Sequence, residues 1–325
     1  MTIKTSEPSA SYCLYEAFLG GQTFNIDENQ YVSFNDALTT VVSTTEIEEL
    51  FQVFAQSFLR FEKDLLDVAF EYSYANMGFI DTEEFLSNVR HRFNVNIITI
   101  LTSYKSYDDH CNRILKYSIN PSETMDFNCK TRSEIFDTHL SYRICAMLRD
   151  YAQHRALPLG GYTIGGVAEI TCDDAGIKRK LDTGFNVSPW LNVTKFKNSS
   201  QCKESLTEEL NSLGWEKIDI KWLVRSFATA MYKRHAQLRA FLKPKIEAAG
   251  EQIAAGYNFA SEAKGSEAKF LELHGDGEKR PMRNDLDAKV LRAFETHSSL
   301  MHAERTYVTS QIERGAATYY GQVDK

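Results

Sequence analysis

Apolar residues recur at three- and four-residue steps along much of this 325-residue chain, the period of a helix that buries one face. The clearest run is Ile47, Leu50, Phe51, Phe54, Phe58, Phe61, Leu65, Val68 and Ala69. Two capping-box patterns, Ser43-x-x-Glu46 and Thr45-x-x-Glu48, stand before it, so a helix is predicted from about 44, ending at Asn76-Met77-Gly78, where glycine suits a left-handed cap. Asp81 with Glu84 opens a second helix, whose stripe of Phe85, Val89, Phe93, Ile97, Ile100, Leu101, Tyr104 and Tyr107 runs until Asn120-Pro121-Ser122 stops it. A third helix is predicted to start at Thr131 with Glu134, to bury Ile135, Leu140, Ile144, Met147, Leu148 and Tyr151, and to break at Leu157-Pro158, because proline disfavours helix at the preceding residue.

From Tyr162 to Lys197 the period shortens. Tyr162-Thr163-Ile164, Val167–Thr171 and Leu191–Thr194 are β-branched and separated by glycines and Ser188-Pro189, which predicts a small β-hairpin or arm at about 162–197 inserted between helices. A short helix at 203–213 closes at Gly214, and the longest helix follows from about Lys217 to Gly250 or Tyr257, with Pro244 expected to kink it. Residues 261–284, rich in Gly, Lys and Glu, read as a linker; 285–325 as a peripheral helix, to about Glu313, and a tail; and 1–43, which lack a sustained period, as an irregular arm. The expected class is mainly α: a bundle of four or more long helices in a domain spanning 44–260, carrying a β-arm.

Composition narrows the function. With 43% hydrophobic and 25% charged residues the chain can bury a real core. Its net charge of −7 excludes a global basic field, so any nucleic-acid contact must be local. The six cysteines, Cys13, Cys111, Cys129, Cys145, Cys172 and Cys202, form no C-x-x-C pair and no zinc spacing with histidine, which points to free thiols and no bound metal or cofactor. The start, MTIKTSEPSASYC, has no apolar core of a leader. No apolar run nears the length that spans a bilayer. A cytoplasmic protein without a membrane contact is expected. P-loop, H-E-x-x-H and G-x-S-x-G patterns are absent, and Gly160-Gly161 and Gly165-Gly166 read as turns.

The third helix ends in Leu148-Arg149-Asp150-Tyr151-Ala152-Gln153-His154-Arg155-Ala156-Leu157-Pro158. Arg149 and His154 lie about 140° apart on an ideal helix, whereas Asp150 and His154 share a face and Asp150 can orient either neighbour. RNA cleavage without a metal needs a base for the ribose 2′-OH, an acid for the leaving 5′ oxygen and a cation for the phosphate. Imidazole suits the proton transfers and guanidinium the phosphate. Two chains meeting at these helix ends would supply two of each. The bland alternative is that Arg149, His154 and Arg155 only offset the negative end of the helix dipole, with Asp150 paired to one of them.

This segment resembles the signature of the HEPN superfamily, helical nucleases and nucleic-acid-binding modules that share Arg, four to six residues, then His, commonly with a polar residue after the Arg. Arg149 and His154 match that pair, and Asp150 the polar neighbour. The likeness extends loosely to a four-helix core near 45–76, 82–118, 131–157 and 217–250. It implies a homodimer with both motifs at a shared cleft, metal-independent endoribonuclease activity on RNA, and a role as a toxin or antiviral effector held in check by an antitoxin or regulator. A subgroup paired with a nucleotidyltransferase antitoxin carries Tyr two residues after the His, where this chain has Ala156. The same spacing range also takes in Arg292-x4-His297 and Arg132-x6-His139, but Arg292 has Ala293 beside it in the polar terminal helix, and neither match is followed by a Leu-Pro break. A non-catalytic helical protein that binds a protein or RNA partner is the competing reading.

Three further features read as structure. Lys105 and His110 beside Asp108-Asp109 read as a solvated acidic face, and Tyr232-Lys233-Arg234-His235 with Arg239 as a solvated basic face that could otherwise follow an RNA backbone. Trp190, Trp215 and Trp222 read as core or hinge anchors.

Overall fold

A computed structural model describes residues 12–74, 82–117, 121–172, 176 and 178–308. The class is mainly α, as the periodicity requires, with two small antiparallel sheets. Strands β1 (Cys13–Glu16) and β2 (Thr23–Asn25) lead into α1 (Glu28–Tyr74); α2 (Thr82–Lys116), α3 (Pro121–Thr138) and α4 (Leu140–His154) follow. Then come β3 (Gly161–Cys172), β4 (Lys178–Asn192), α5 (Val193–Lys197), α6 (Glu204–Leu213), β5 (Lys217–Asp219) and α7 (Ile220–Lys264). β6 (Leu271–Gly275), β7 (Glu278–Pro281), α8 (Leu286–Ala293) and a 3-10 segment, Ser298–Arg305, complete the order. The expected stop at Asn76-Met77-Gly78 and the start at Asp81 lie outside the described residues; the last helix, expected to run to about Glu313, ends at Ala293, and the third, expected from Thr131, is two helices, α3 and α4, separated at the extended His139.

Two further sequence expectations are corrected. Residues 28–43 are helix, not an irregular arm. The true start is an Asp27-x-x-Gln30 box, in which Gln30 N donates to Asp27 Oδ1 at 2.8 Å and Asp27 N to Gln30 Oε1 at 3.0 Å. The threonine-rich stretch that looked like a cap lies inside the helix. Thr39, Thr40, Thr44 and Thr45 donate their hydroxyls to the carbonyls four residues back, so polar β-branched residues are accommodated there. Nor is 261–284 a linker. Leu271 and Leu273 alternate with polar residues, β6 pairs with β1 and with β7, and Asp276-Gly277 turns the hairpin with φ of 51° and 79°, the left-handed pair of a type I′ turn.

The chain forms two compact units, each drawn from three stretches. The first comprises Met1–Ala55, Ser103–Thr138 and Met231–Ser298. Its sheet, ordered β2-β1-β6-β7, is tied to the end of α7 by buried Glu16, which takes Lys264 Nζ at 2.8 Å. Its helical core centres on Phe51, Phe54, Tyr107 and Tyr232, and Phe127 stacks on Phe241 at 4.2 Å.

The second unit comprises Gln56–Thr102, His139–Ala230 and Ser299–Lys325. Phe61 meets Phe93 and Phe93 meets Tyr162 edge-on, Tyr142 packs on Phe227, and Arg225 holds Glu62 through two 2.7 Å hydrogen bonds. The expected arm is the β3–β4 hairpin, joined at its base by β5. Gly160 and Gly161 are required where the Trp190 indole lies on them: a Cβ on Gly161 would sit 2.4 Å from that ring. Trp190 also carries Lys217 Nζ 4.3 Å from its ring centroid, a structural anchor as expected, and Trp222, 40% exposed, meets Trp215 edge-on. α6 closes at Gly214 in the left-handed conformation (φ 65°), where glycine costs least. α7 continues through Pro244.

Candidate functional site

In the second unit, α4 is fixed along its inner face. Ile144, Cys145, Met147, Leu148 and Tyr151 are buried, Arg143 clamps Glu209 at 2.7 and 2.9 Å, and Lys203 N donates to Met147 Sδ. The backbone N–H groups of Arg155 and Ala156 return to the Tyr151 carbonyl and end the helix ahead of Pro158. Past the break, Asn94 Oδ1 takes Leu159 N at 3.1 Å and the Trp190 carbonyl takes Gly160 N at 2.8 Å. The last turn is therefore held from both sides.

Asp150 pairs with Arg149, at 2.8 Å from Nη1, and not with His154. Arg149 is mostly covered; its Nε is buried without a partner and its Nη2 has none among the described residues. His154, the last residue of the helix, is exposed, and its side chain makes no hydrogen bond or ion pair among the described residues. Among the described residues no hydrogen bond or ion pair joins the side chains of Arg149 and His154.

Beside this end lies a cleft of about 390 Å³, lined by Tyr151, Arg155, Ala156, Thr194, Lys195, Asn198 and Ser199. Tyr151 meets Phe196 edge-on at 5.7 Å and fixes one wall. Asn192 caps α5 by accepting Lys195 N at 2.8 Å, and the buried Val193 and Phe196 pin that short helix so that Thr194, Lys195 and Asn198 face outwards.

The basic face expected at 232–239 is corrected, whereas on the acidic face expected at 105–110 only Asp108 is buried, Asp109 and His110 being exposed as expected. In the first unit Arg234, His235, Arg239 and Asp108 are buried and form one charged core. Arg234 Nη1 lies 2.9 Å and Arg132 Nη2 3.3 Å from the Asp108 carboxylate. Arg239 binds Glu48 through Nε at 3.0 Å and Nη2 at 2.7 Å, and also donates to the carbonyls of Ala293, Phe294 and Thr296, capping the end of α8. His235 stacks on Phe51 at 3.8 Å, with Nδ1 2.9 Å from the Tyr107 hydroxyl and Nε2 3.0 Å from Glu48 at a poor hydrogen-bonding angle.

Burial alone would raise the Glu48 carboxyl; His235 and Arg239 outweigh it and hold the group at about 2. Burial pushes the His235 imidazole below its ordinary value, against the pull of Glu48, and the Arg239 and Arg234 charges add to the lowering. The sequence placed these groups outside because charge normally marks a solvated face. Here opposite charges on separate helices compensate one another, a long-range pairing that no local pattern reveals. Of the acidic pair only Asp109 turns outwards, to Lys105 at 2.6 Å.

The other two spacing matches are absorbed by structure. Arg132 serves Asp108, and His297 contacts Gln52 at 2.5 Å. Five described cysteines are free thiols, and burial pushes the Cys111 thiol up to about 12. Among the described residues no group of His, Cys, Asp and Glu is placed to hold a metal ion, and no helix is long and apolar enough to cross a membrane. No family model matches the chain, and no curated protein or solved structure matches it.

Proposed function

We propose that the end of α4 is an RNA-cleaving site of HEPN type, in which His154 moves the proton and Arg149 holds the phosphate of a strand attacked by its own 2′-OH. Accessibility carries the reading. The His235 constellation is sealed in the core, its Nδ1 at the Tyr107 hydroxyl and its Nε2 beside the Glu48 carboxylate, while the side chain of His154 stands unpartnered in solvent on a helix fixed along its other face. An imidazole in that position can exchange protons with a bound polymer. Arg149 is oriented by Asp150 through one nitrogen and keeps Nη2 for a phosphate oxygen.

One chain offers one histidine, and the reaction has two proton transfers. The reading therefore includes a homodimer in which α4 ends from two copies face a common strand, acting without metal in the cytoplasm as a toxin or defence effector under an antitoxin or regulator. Purified protein should cut single-stranded RNA in EDTA and leave 2′,3′-cyclic phosphate ends. Replacing His154 by Ala should slow cleavage about 10²–10⁴-fold; an unaltered rate in that variant sinks the proposal.

A second reading, a non-catalytic helical protein that docks a partner, is favoured by the exposed apolar residues Leu59, Leu66, Phe70 and Tyr74 along α1. It predicts no RNA cleavage and loss of partner binding on replacing Phe70 by Glu.

A further inference from the structure

The geometry points to the cleft between the end of α4 and α5 as the seat of a backbone phosphate of a single-stranded RNA, next to the phosphate that is cut. The inference rests on the RNA-cleaving reading of His154 and Arg149 and says where the strand is held. Its lining joins two cations, Arg155 and Lys195, to the hydrogen-bonding side chains of Thr194 and Asn198, and includes no carboxylate. In a chain of net charge −7, a concave surface of that composition is a local exception. Neither cation has a side-chain partner among the described residues, although carboxylates engage Arg143, Arg149 and Arg225 in the same unit. Arg155 and Lys195 are exposed, so their charge is available to a ligand and contributes nothing to the core.

Phosphate fits this lining better than an apolar ligand does. A guanidinium fork and an ammonium can take separate oxygens of one phosphodiester, while a hydroxyl and an amide donate to the rest. Position supplies the link to a strand. Arg155 lines the cleft and follows His154 directly, with Cα atoms about 3.8 Å apart, so the cleft begins one residue beyond the candidate imidazole. The cleft's cations then bind substrate equally before and during reaction, which shows in KM and not in kcat.

The test uses the full-length protein, a fluorescent single-stranded RNA bearing 2′-O-methyl groups throughout, which cannot attack its own phosphates, and the same RNA unmodified. The double variant Arg155→Glu, Lys195→Glu should bind the blocked strand at least tenfold more weakly, and the slope of log affinity against log salt should fall by about 1.4 for two lost contacts at roughly 0.7 each. Cleavage of the unmodified strand should show a raised KM with kcat unchanged. Arg155→Gln, Lys195→Gln should shift both in the same direction to a smaller extent. Equal binding by parent and variants, or failure of the parent to bind the blocked strand, overturns the cleft assignment; whether the unmodified RNA is still cut then reports separately on His154. Displacement of the strand by a nucleoside monophosphate at equal phosphate concentration would assign the cleft to a free phosphorylated metabolite and also overturn it.

Discussion

Replacing Glu48 by Gln in the buried core of the first unit keeps the shape of the side chain and removes its charge. In the parent, the carboxylate faces Arg239 through two hydrogen bonds and His235 at 3.0 Å, and its value stands near 2 against an ordinary 4.5. That difference corresponds to about 3 kcal/mol between the charged and uncharged forms. Glutamine approximates the uncharged form and leaves Arg239, still pinned to three α8-end carbonyls, as a buried cation without its counter-charge. The expected loss is therefore about 3 kcal/mol at pH 7, within the range for breaking a buried pair by removing one partner. Because the folded value is the lower one, this contribution is complete above 4.5 and is lost as the pH falls towards 2. Urea unfolding followed by circular dichroism, parent against Glu48→Gln, should show a large gap at pH 7 that closes in strong acid. A loss under about 0.5 kcal/mol at pH 7, or a gap that persists unchanged in acid, would refute the reasoning.

Burial holds His235 below its ordinary 6.5, with Glu48 from α1, Tyr107 from α2, and Arg234 and Arg239 from α7 around it. The unfolded chain thus takes up a proton that the folded one refuses, and stability should fall as pH drops below about 6.5, by up to roughly 1.4 kcal/mol per unit; an identical pH slope in His235→Gln between pH 7 and 5.5 would count against this. Gly161→Ala drives a methyl to within 2.4 Å of the Trp190 ring and should cost about 1–3 kcal/mol, seen as a lowered melting midpoint and altered tryptophan fluorescence; an unchanged midpoint would place the indole elsewhere. Arg149→Ala should lower RNA cleavage about 10²-fold or more; full activity would remove Arg149 from the site.

The long helices, the β3–β4 arm and the left-handed glycine closing α6 were legible because each rests on local chemistry: a 3.6-residue stripe, alternating β-branched residues, a glycine where φ is positive. The elements missed had local signals that composition masked. Asp27-x-x-Gln30 is a capping box with an apolar stripe behind it, overshadowed by the Ser/Thr run at 43–45. Leu271-Glu272-Leu273 before Asp276-Gly277 is a hairpin signature hidden among Lys and Glu. The charged core was beyond local reading altogether, since the buried pairs Asp108–Arg234 and Glu48–His235 join residues more than a hundred positions apart in the chain. At the candidate site, the sequence supplied Arg149, Asp150 and His154 and their place at a helix end. It supplied neither the choice of Asp150 for Arg149 nor the cleft, which needs α5 brought against α4.

The central claim is that one exposed imidazole, at the last residue of α4, carries proton transfer in RNA cleavage. The most direct test is a DNA oligonucleotide holding a single ribonucleotide, incubated with parent and with His154→Ala in EDTA. The parent should make one cut, immediately 3′ of that ribose, ending in a 2′,3′-cyclic phosphate, and the variant none on the same time scale. Cleavage at other positions, or an equal rate from the variant, would contradict it.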